Sequence, residues 1–285
     1  MSVRTTSPKK VRMSKADRMA SVKVQYNTEE PTETLAEIDT RISERFEILE
    51  LLTKSAISGE SRALIVSGPA GLGKSYSVES AVAEWDPAED NHTIVKGYVR
   101  ATGIYKLLYQ YKDKGQVIVF DDADSVFFDD VSLNILKAVC DTTEKRRVSW
   151  MSEGKLVDEE SAELIPRNFE FNGTIIFITN YDFDAMIDRG HKLAPHLQAL
   201  VSRSHYIDLA LKTRTDYLVR IRQVVAQGLL DNLTAPQKND VLQYIEINKH
   251  KLRELSLRMV LKLGSLRSSA GADGWVRMAN VTCCR

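Results

Sequence analysis

The segment Gly68-Pro69-Ala70-Gly71-Leu72-Gly73-Lys74-Ser75 follows directly on the apolar run Ala63-Leu64-Ile65-Val66 and leads through Tyr76 into the helix-forming stretch Val78-Glu79-Ser80-Ala81-Val82-Ala83-Glu84. Each residue type in it has a use in holding phosphate. The glycines let the backbone curl until successive N–H groups point at one anion, Lys74 supplies a point charge for the β- and γ-phosphates, and the Ser75 hydroxyl can ligate Mg²⁺. The amino end of the following helix adds its partial positive charge. A buried strand, this Walker A loop and a helix, in that order, predict a nucleoside triphosphate site running from Gly68 to Tyr76.

A second apolar run, Val117-Ile118-Val119-Phe120, ends in Asp121-Asp122-Ala123-Asp124. A buried strand ending in carboxylates is what a Walker B motif requires. Lying adjacent to the phosphate loop, the strand delivers Asp121 to the metal shell, and Asp122 at its tip orients and deprotonates an attacking water. Asp124, further beyond the strand end, is the alternative base. Thr174-Ile175-Ile176-Phe177-Ile178-Thr179 repeats the design and ends in Asn180, whose amide can reach the γ-phosphate or its water. Arg258 lies in the otherwise apolar stretch Leu255-Ser256-Leu257-Arg258-Met259-Val260-Leu261, where a guanidinium calls for an anionic partner, so it is a candidate phosphate ligand. Arg203, closing the helical pattern Leu200-Val201-Ser202-Arg203, is a candidate of the same kind, with Arg189 competing.

These residues need a scaffold, and the apolar pattern supplies one. Short apolar runs at 63–67, 93–96, 116–120, 174–179 and 205–209 alternate with helical patterns, which predicts an α/β fold whose parallel sheet is flanked by helices. Ahead of them Leu35, Ile38, Ile42, Phe46, Leu49 and Leu52 recur at helical spacing. After residue 210 the strand signals stop, and 213–229, 235–248 and 251–267 read as three helices. The last stretch, with Ser268, Ser269, Gly271, Gly274 and Trp275, shows no usable period. The expected organisation is a basic flexible arm at 1–30, a nucleotide-binding domain at 31–210, a small all-helical lid at 211–268 and a tail at 269–285. A chain of 285 residues has room for two unequal domains of this kind.

Composition narrows the class of partner. With 39 basic and 39 acidic residues the chain has no overall attraction to nucleic acid or membrane, so any such role must come from local clustering. The clearest cluster is the amino end, where Arg4, Lys9, Lys10, Arg12, Lys15, Arg18 and Lys23 face Asp17 alone. No apolar run approaches the ~18 residues of a membrane span, and no signal-peptide core is present. Cys140, Cys283 and Cys284 form neither a disulfide framework nor a metal-ligand pattern. A soluble, reducing, cytoplasmic setting is expected. An organelle transit peptide is the alternative, against which Pro8 and the closely spaced lysines argue.

Taken in order, these motifs resemble the AAA+ ATPase superfamily over roughly residues 40 to 268. The resemblance implies ATP and Mg²⁺ as ligands, a P-loop sheet followed by a helical lid, Asn180 as sensor 1, Arg258 as sensor 2, and Arg203 as an arginine finger that completes a neighbour's site in a homo-oligomeric ring. The segments Asp121 to Asp124, Phe169 to Gly173 and Ser202 to Leu209 are similar to AAA+ proteins of tailed bacteriophages, which would place the chain in the host cytoplasm. One departure stands out: the family usually carries Glu where this chain has Asp122, and the shorter arm leaves the base open between Asp122 and Asp124.

The resemblance also suggests what the ATPase acts on. Between the helix at 130 to 145 and the strand ending at Thr179, an insert from Arg146 to Phe171 reads as a β-hairpin, at the place where related helicases contact DNA. Its tip carries Glu153, Asp158, Glu159, Glu160 and Glu163 against Lys155, so it would repel phosphate. The basic arm is the better nucleic-acid feature. Lys96-Gly97-Tyr98-Val99-Arg100 falls where AAA+ rings place central-channel loops, and Tyr98 and Arg100 could stack on bases or grip a polypeptide. The leading expectation is a DNA-metabolism ATPase of helicase, helicase-loader or clamp-loader type, working with DNA and a partner such as a helicase, polymerase or clamp. A protein-remodelling chaperone and a nucleotide-switched DNA-binding factor are the alternatives.

Overall fold

In the computed structural model, which describes residues 33–285 apart from 153, 155 and 159–162, helix α1 (Leu35–Ile57) comes first. Thr34 and Glu37 close its amino end in a reciprocal capping box, a device worth about 1 kcal/mol. Its inner face is Ile38, Ile42, Phe46 and Leu49, while Leu35 remains 57% exposed, so the buried stripe starts one turn later than the spacing predicts. The basic arm and the hairpin-tip residues Glu153, Lys155, Glu159 and Glu160 lie outside the described residues.

The chain then alternates as expected through β1 (Ala63–Ser67), α2 (Lys74–Trp85), β2 (His92–Lys96), α3 (Ala101–Gln110), β3 (Val117–Asp121) and α4 (Asp130–Val139). The insert follows as β4 (Arg147–Ser149), β5 (Leu156–Val157), β6 (Leu164–Ile165) and β7 (Asn168–Glu170), with β4 antiparallel to β7 and β5 to β6. Next come β8 (Thr174–Thr179), α5 (Phe183–Asp188), α6 (Ala194–Val201) and β9 (His205–Asp208). The main sheet is parallel throughout, in the order β2-β3-β8-β1-β9.

Because side chains alternate across a strand, its apolar runs feed two cores. Leu64, Val66, Val117, Val119, Ile176 and Ile178 pack on the side of α1, α2 and the carboxyl-terminal helices. Ala63, Ile65, Ile118, Phe120, Ile175 and Phe177 pack on the side of α3, α4, α6 and the insert. Burial on both faces is why these strands read as continuous apolar runs, each large side chain contributing about 1.5–3 kcal/mol.

The Asp121 strand is not adjacent to the strand that leads into the phosphate loop, because β8 pairs with both β1 and β3 and separates them. The middle of the site therefore belongs to Asn180.

Beyond β9 the chain is helical: α7 (Arg214–Ala226), α8 (Ala235–Asn248), α9 (Leu257–Ser269) and α10 (Ala272–Thr282). The third of these starts at Leu257, later than the expected 251, because Ser256 caps it through the Met259 N–H. The stretch 269–285, expected to be a tail, instead carries α10. Trp275, Ala279 and Cys283 are buried, the Trp275 ring lies 5.2 Å from that of Tyr244, and the Tyr244 hydroxyl donates to Asn280 Oδ1 at 2.7 Å. These buried residues recur every fourth position as one narrow stripe, too thin to register as a helical pattern. Among the described residues no helix is long and apolar enough to cross a membrane.

Candidate nucleotide-binding site

Three strand ends meet at one cavity of about 630 Å³, lined by Phe46, Gly73, Lys74, Asp122, Asn180 and Arg258, among others. That is the size range of a small-molecule site, at the carboxyl edge of a parallel sheet where such sites form. The loop from Gly68 to Ser75 wraps its floor. Gly68, Gly71 and Gly73 have φ of 147°, 77° and 98°, conformations that other residues rarely adopt. Gly71 is constrained twice over: a β-carbon there would stand 2.8 Å from Ser256 Cβ, and its carbonyl accepts the Leu257 N–H at 2.8 Å. Gly71→Ala should therefore both distort the loop and unseat the helical domain from it, weakening nucleotide affinity about tenfold or more as read by ADP titration.

Lys74 is buried, with its ammonium donating to the carbonyls of Gly68 (2.6 Å) and Pro69 (2.8 Å) and to Asn180 Oδ1 (3.1 Å). No carboxylate touches it among the described residues. Burial pulls its pKa down from 10.5 to about 8, against the opposing pull of Asp122 and Asp121. A lysine whose folded value is depressed is charged in both folded and unfolded chains below about pH 8, where its burial costs stability. That cost fades as pH rises from about 8 toward 10.5, the window in which only the unfolded chain holds the proton. A phosphate placed on the ammonium reverses the shift, so ADP binding near pH 9 should take up close to one proton and weaken as pH rises further. Calorimetry in buffers of different ionisation enthalpy checks this, and Lys74→Met should remove the uptake.

Ser75 Oγ, in the first turn of α2, donates to Asp121 Oδ1 at the end of β3 at 2.8 Å, so the two expected metal ligands meet although β8 lies between β1 and β3. The other oxygen of Asp121 is 3.3 Å from Lys96 Nζ, which also holds Glu79 at 2.6 Å. Asp122 is exposed at the cavity mouth with φ of 51°, in the left-handed region that Asp tolerates better than most residues. Its Oδ1 accepts from Asn180 Nδ2 at 2.7 Å. The Asn180 amide thus joins Lys74 to Asp122. Asp124 turns elsewhere: it accepts the Thr179 hydroxyl at 2.6 Å, and burial pushes its carboxyl up to about 6. Of the two possible bases, Asp122 lines the cavity.

The remaining expected residues divide. Tyr76 also lines the cavity, at 78% exposure. Arg258, near the start of α9, lines the cavity beside Gly71. Arg203 is not brought to it: its Nη1 donates to the Ala199 carbonyl at 2.8 Å and its Nε lies 3.9 Å from Asp141 Oδ1. Arg189 caps α5 at the surface. Tyr98 stands out at 76% exposure on the loop after β2, and Arg100 is the exposed amino cap of α3.

Sequence reasoning missed Arg220 on α7. Its guanidinium carbon lies 3.3 Å from the centre of the Phe46 ring and its Nε donates to the Leu72 carbonyl at 3.3 Å. No periodic signal separates it from Arg222 on the same helix, since in the sequence both read as surface cations.

No family model matches the chain. Among solved structures it is similar to the Thermotoga maritima RuvB Holliday junction branch migration motor, at 13% identity and TM-score 0.48 over 85% of this chain and 68% of that one. It is also similar to Brucella abortus NtrX in complex with ADP, at 14% identity and TM-score 0.46 over 91% of this chain and 54% of that one. The sequence relative is nearer. An uncharacterized 36.7 kDa protein of Enterobacteria phage T4, from the nrdC-mobD intergenic region, is 38% identical over 259 residues, or 88% of this chain and 77% of that protein. The chain belongs to the same family as the phage T4 protein, and its strand order, its P-loop at the head of α2 and its helical carboxyl end give it an α/β P-loop fold like that of AAA+ proteins.

Proposed function

We propose that the chain is an oligomeric ATP hydrolase that drives remodelling or loading of assemblies on DNA in replication or recombination, in the manner of a helicase, helicase loader or clamp loader. The observation that carries the ATPase reading is the meeting of Lys74, the Ser75–Asp121 pair and the Asn180–Asp122 pair around one cavity. A buried ammonium with no carboxylate in contact among the described residues, in a loop of positive-φ glycines, suits an anionic phosphate chain. Mg²⁺, which Ser75 and Asp121 would hold, would supply neutralising charge at the phosphates. Asp122 orients the attacking water and accepts its proton on a carboxylate oxygen, and Asn180, hydrogen-bonded to both Asp122 and Lys74, keeps base and charge in one frame. Residues 31–210 form the nucleotide-binding domain in this reading, and the helices from 211 onward form the lid that brings Arg258 over the phosphates.

Arg203 lies away from its own chain's cavity, which favours action on a neighbouring subunit. Mixing Arg203→Ala subunits with Lys74→Ala subunits should then restore part of the ATPase activity that each lacks alone, measured as phosphate release. Equal turnover by a dilute monomer sinks that assignment.

The DNA role is supported by the basic residues between Arg4 and Lys23. The exposed Tyr98 beside Arg100 favours a second reading, a protein-remodelling ring that grips polypeptide. ATPase turnover with no addition, with single-stranded DNA, with duplex DNA and with casein separates them. Stimulation by DNA is expected; stimulation by casein alone moves the assignment to the second reading.

A further inference from the structure

Arg220 is 6% exposed and makes no ion pair among the described residues. Both of its hydrogen bonds are long: Nε to the Leu72 carbonyl at 3.3 Å and Nη1 to Gln223 Oε1 at 3.4 Å. The Phe46 ring backs the guanidinium plane. A ring face and two weak acceptors leave a full positive charge uncompensated out of water, a costly arrangement without an anion nearby. Burial lowers its pKa to about 10, against an opposing pull from Glu50, which forms no ion pair with it. Arg146, the other buried arginine, differs. It donates at 3.1 and 2.9 Å to the Val139 and Gly173 carbonyls, and it lies outside the nucleotide cavity.

The unused edge of Arg220 has a direction. Its Nη2 makes no hydrogen bond among the described residues and lies 3.5 Å from where a β-carbon on Gly73 would stand, on the wall of the same cavity. Phe46, belonging to α1, and the Leu72 carbonyl hold the fork in place from behind, so the free N–H groups have little choice of aim.

We propose that Arg220 binds the phosphate chain of the nucleotide as a second lid arginine, so that α7 as well as α9 closes on the ligand. This deepens the nucleotide reading above and rests on it. A contact to phosphate ignores the base, so its loss must weaken purine and pyrimidine nucleotides alike.

The test is titration of ADP and of CDP into the parent, Arg220→Gln, Arg220→Met and Lys74→Ala, each followed by calorimetry and by thermal melting. The glutamine variant keeps a donor for the Leu72 carbonyl, and the methionine variant keeps the apolar contact with Phe46. Both remove the charge. Loss of about tenfold or more in affinity for ADP and CDP together, from a folded variant, is expected. Parental affinity in either folded variant overturns the proposal, as does a loss confined to ADP, which would make the contact one to the base. Failure of both variants to fold also overturns it, since a residue the fold cannot spare needs no ligand to explain it. If the parent binds ADP and Lys74→Ala does not, a parental result for Arg220→Gln refutes this inference alone. A parent that binds neither nucleotide refutes the nucleotide reading as well.

Discussion

Replacing Lys74 with alanine will remove most nucleotide binding and leave the fold standing. Among the described residues the ammonium bonds to two loop carbonyls and the Asn180 amide, and Lys74 belongs to neither apolar core. Its burial already holds the charge at a disadvantage, and the melting temperature of the variant should therefore stay level or rise. Binding is another matter. Charge-assisted hydrogen bonds to phosphate are worth about 1.5–3 kcal/mol each, so losing one or two weakens affinity by roughly ten- to a thousandfold. Titration with an ATP analogue, paired with a melting curve, measures both halves. An unchanged affinity would remove the phosphate loop from its proposed role, whatever the melting curve shows.

Asp122→Asn will hold ATP and Mg²⁺ yet turn over at least about a hundredfold more slowly, the usual scale for loss of a general base. The substitution is mild in structure. Asn adopts the left-handed backbone that position 122 requires as readily as Asp does, and its amide can still pair with Asn180. Asp121→Asn should instead weaken metal-dependent binding, because Asp121 meets Ser75. Asp124→Asn provides the control: if it abolishes turnover while Asp122→Asn does not, the base is Asp124 despite its bond to Thr179.

What could be read in the sequence was what is local in the chain. The phosphate loop, the strand before it and the helix after it are consecutive, and the rules governing each act over a few residues. Strand positions followed as easily, because strands buried on both faces are apolar without interruption. The order of those strands could not be read the same way. That β8 lies between β1 and β3 depends on which crossover packs where, and no spacing in the chain encodes it. Arg220 was hidden for a related reason. Along α7 both Arg220 and Arg222 look like surface cations, and only the arrival of Phe46 from α1, far away in sequence, shows which of them is buried. The helix α10 was missed because a single stripe of Trp275, Ala279 and Cys283 satisfies its packing, leaving most of its circumference free of pattern.

The hydrogen bond from the Leu257 N–H to the Gly71 carbonyl gives the helical domain one hold on the phosphate loop that depends on no side chain, beside the contact of Arg220 with the Leu72 carbonyl. Drift at position 257 leaves the bond intact through every substitution but one, since proline alone lacks the donor. Proline would otherwise suit the site: Leu257 is the first residue of α9, where its fixed φ is welcome, and Ser256 before it is already extended at φ −157° and ψ 161°. That hold belongs to the path of the backbone, and descendants of this chain can inherit it while sharing almost none of the residues around it.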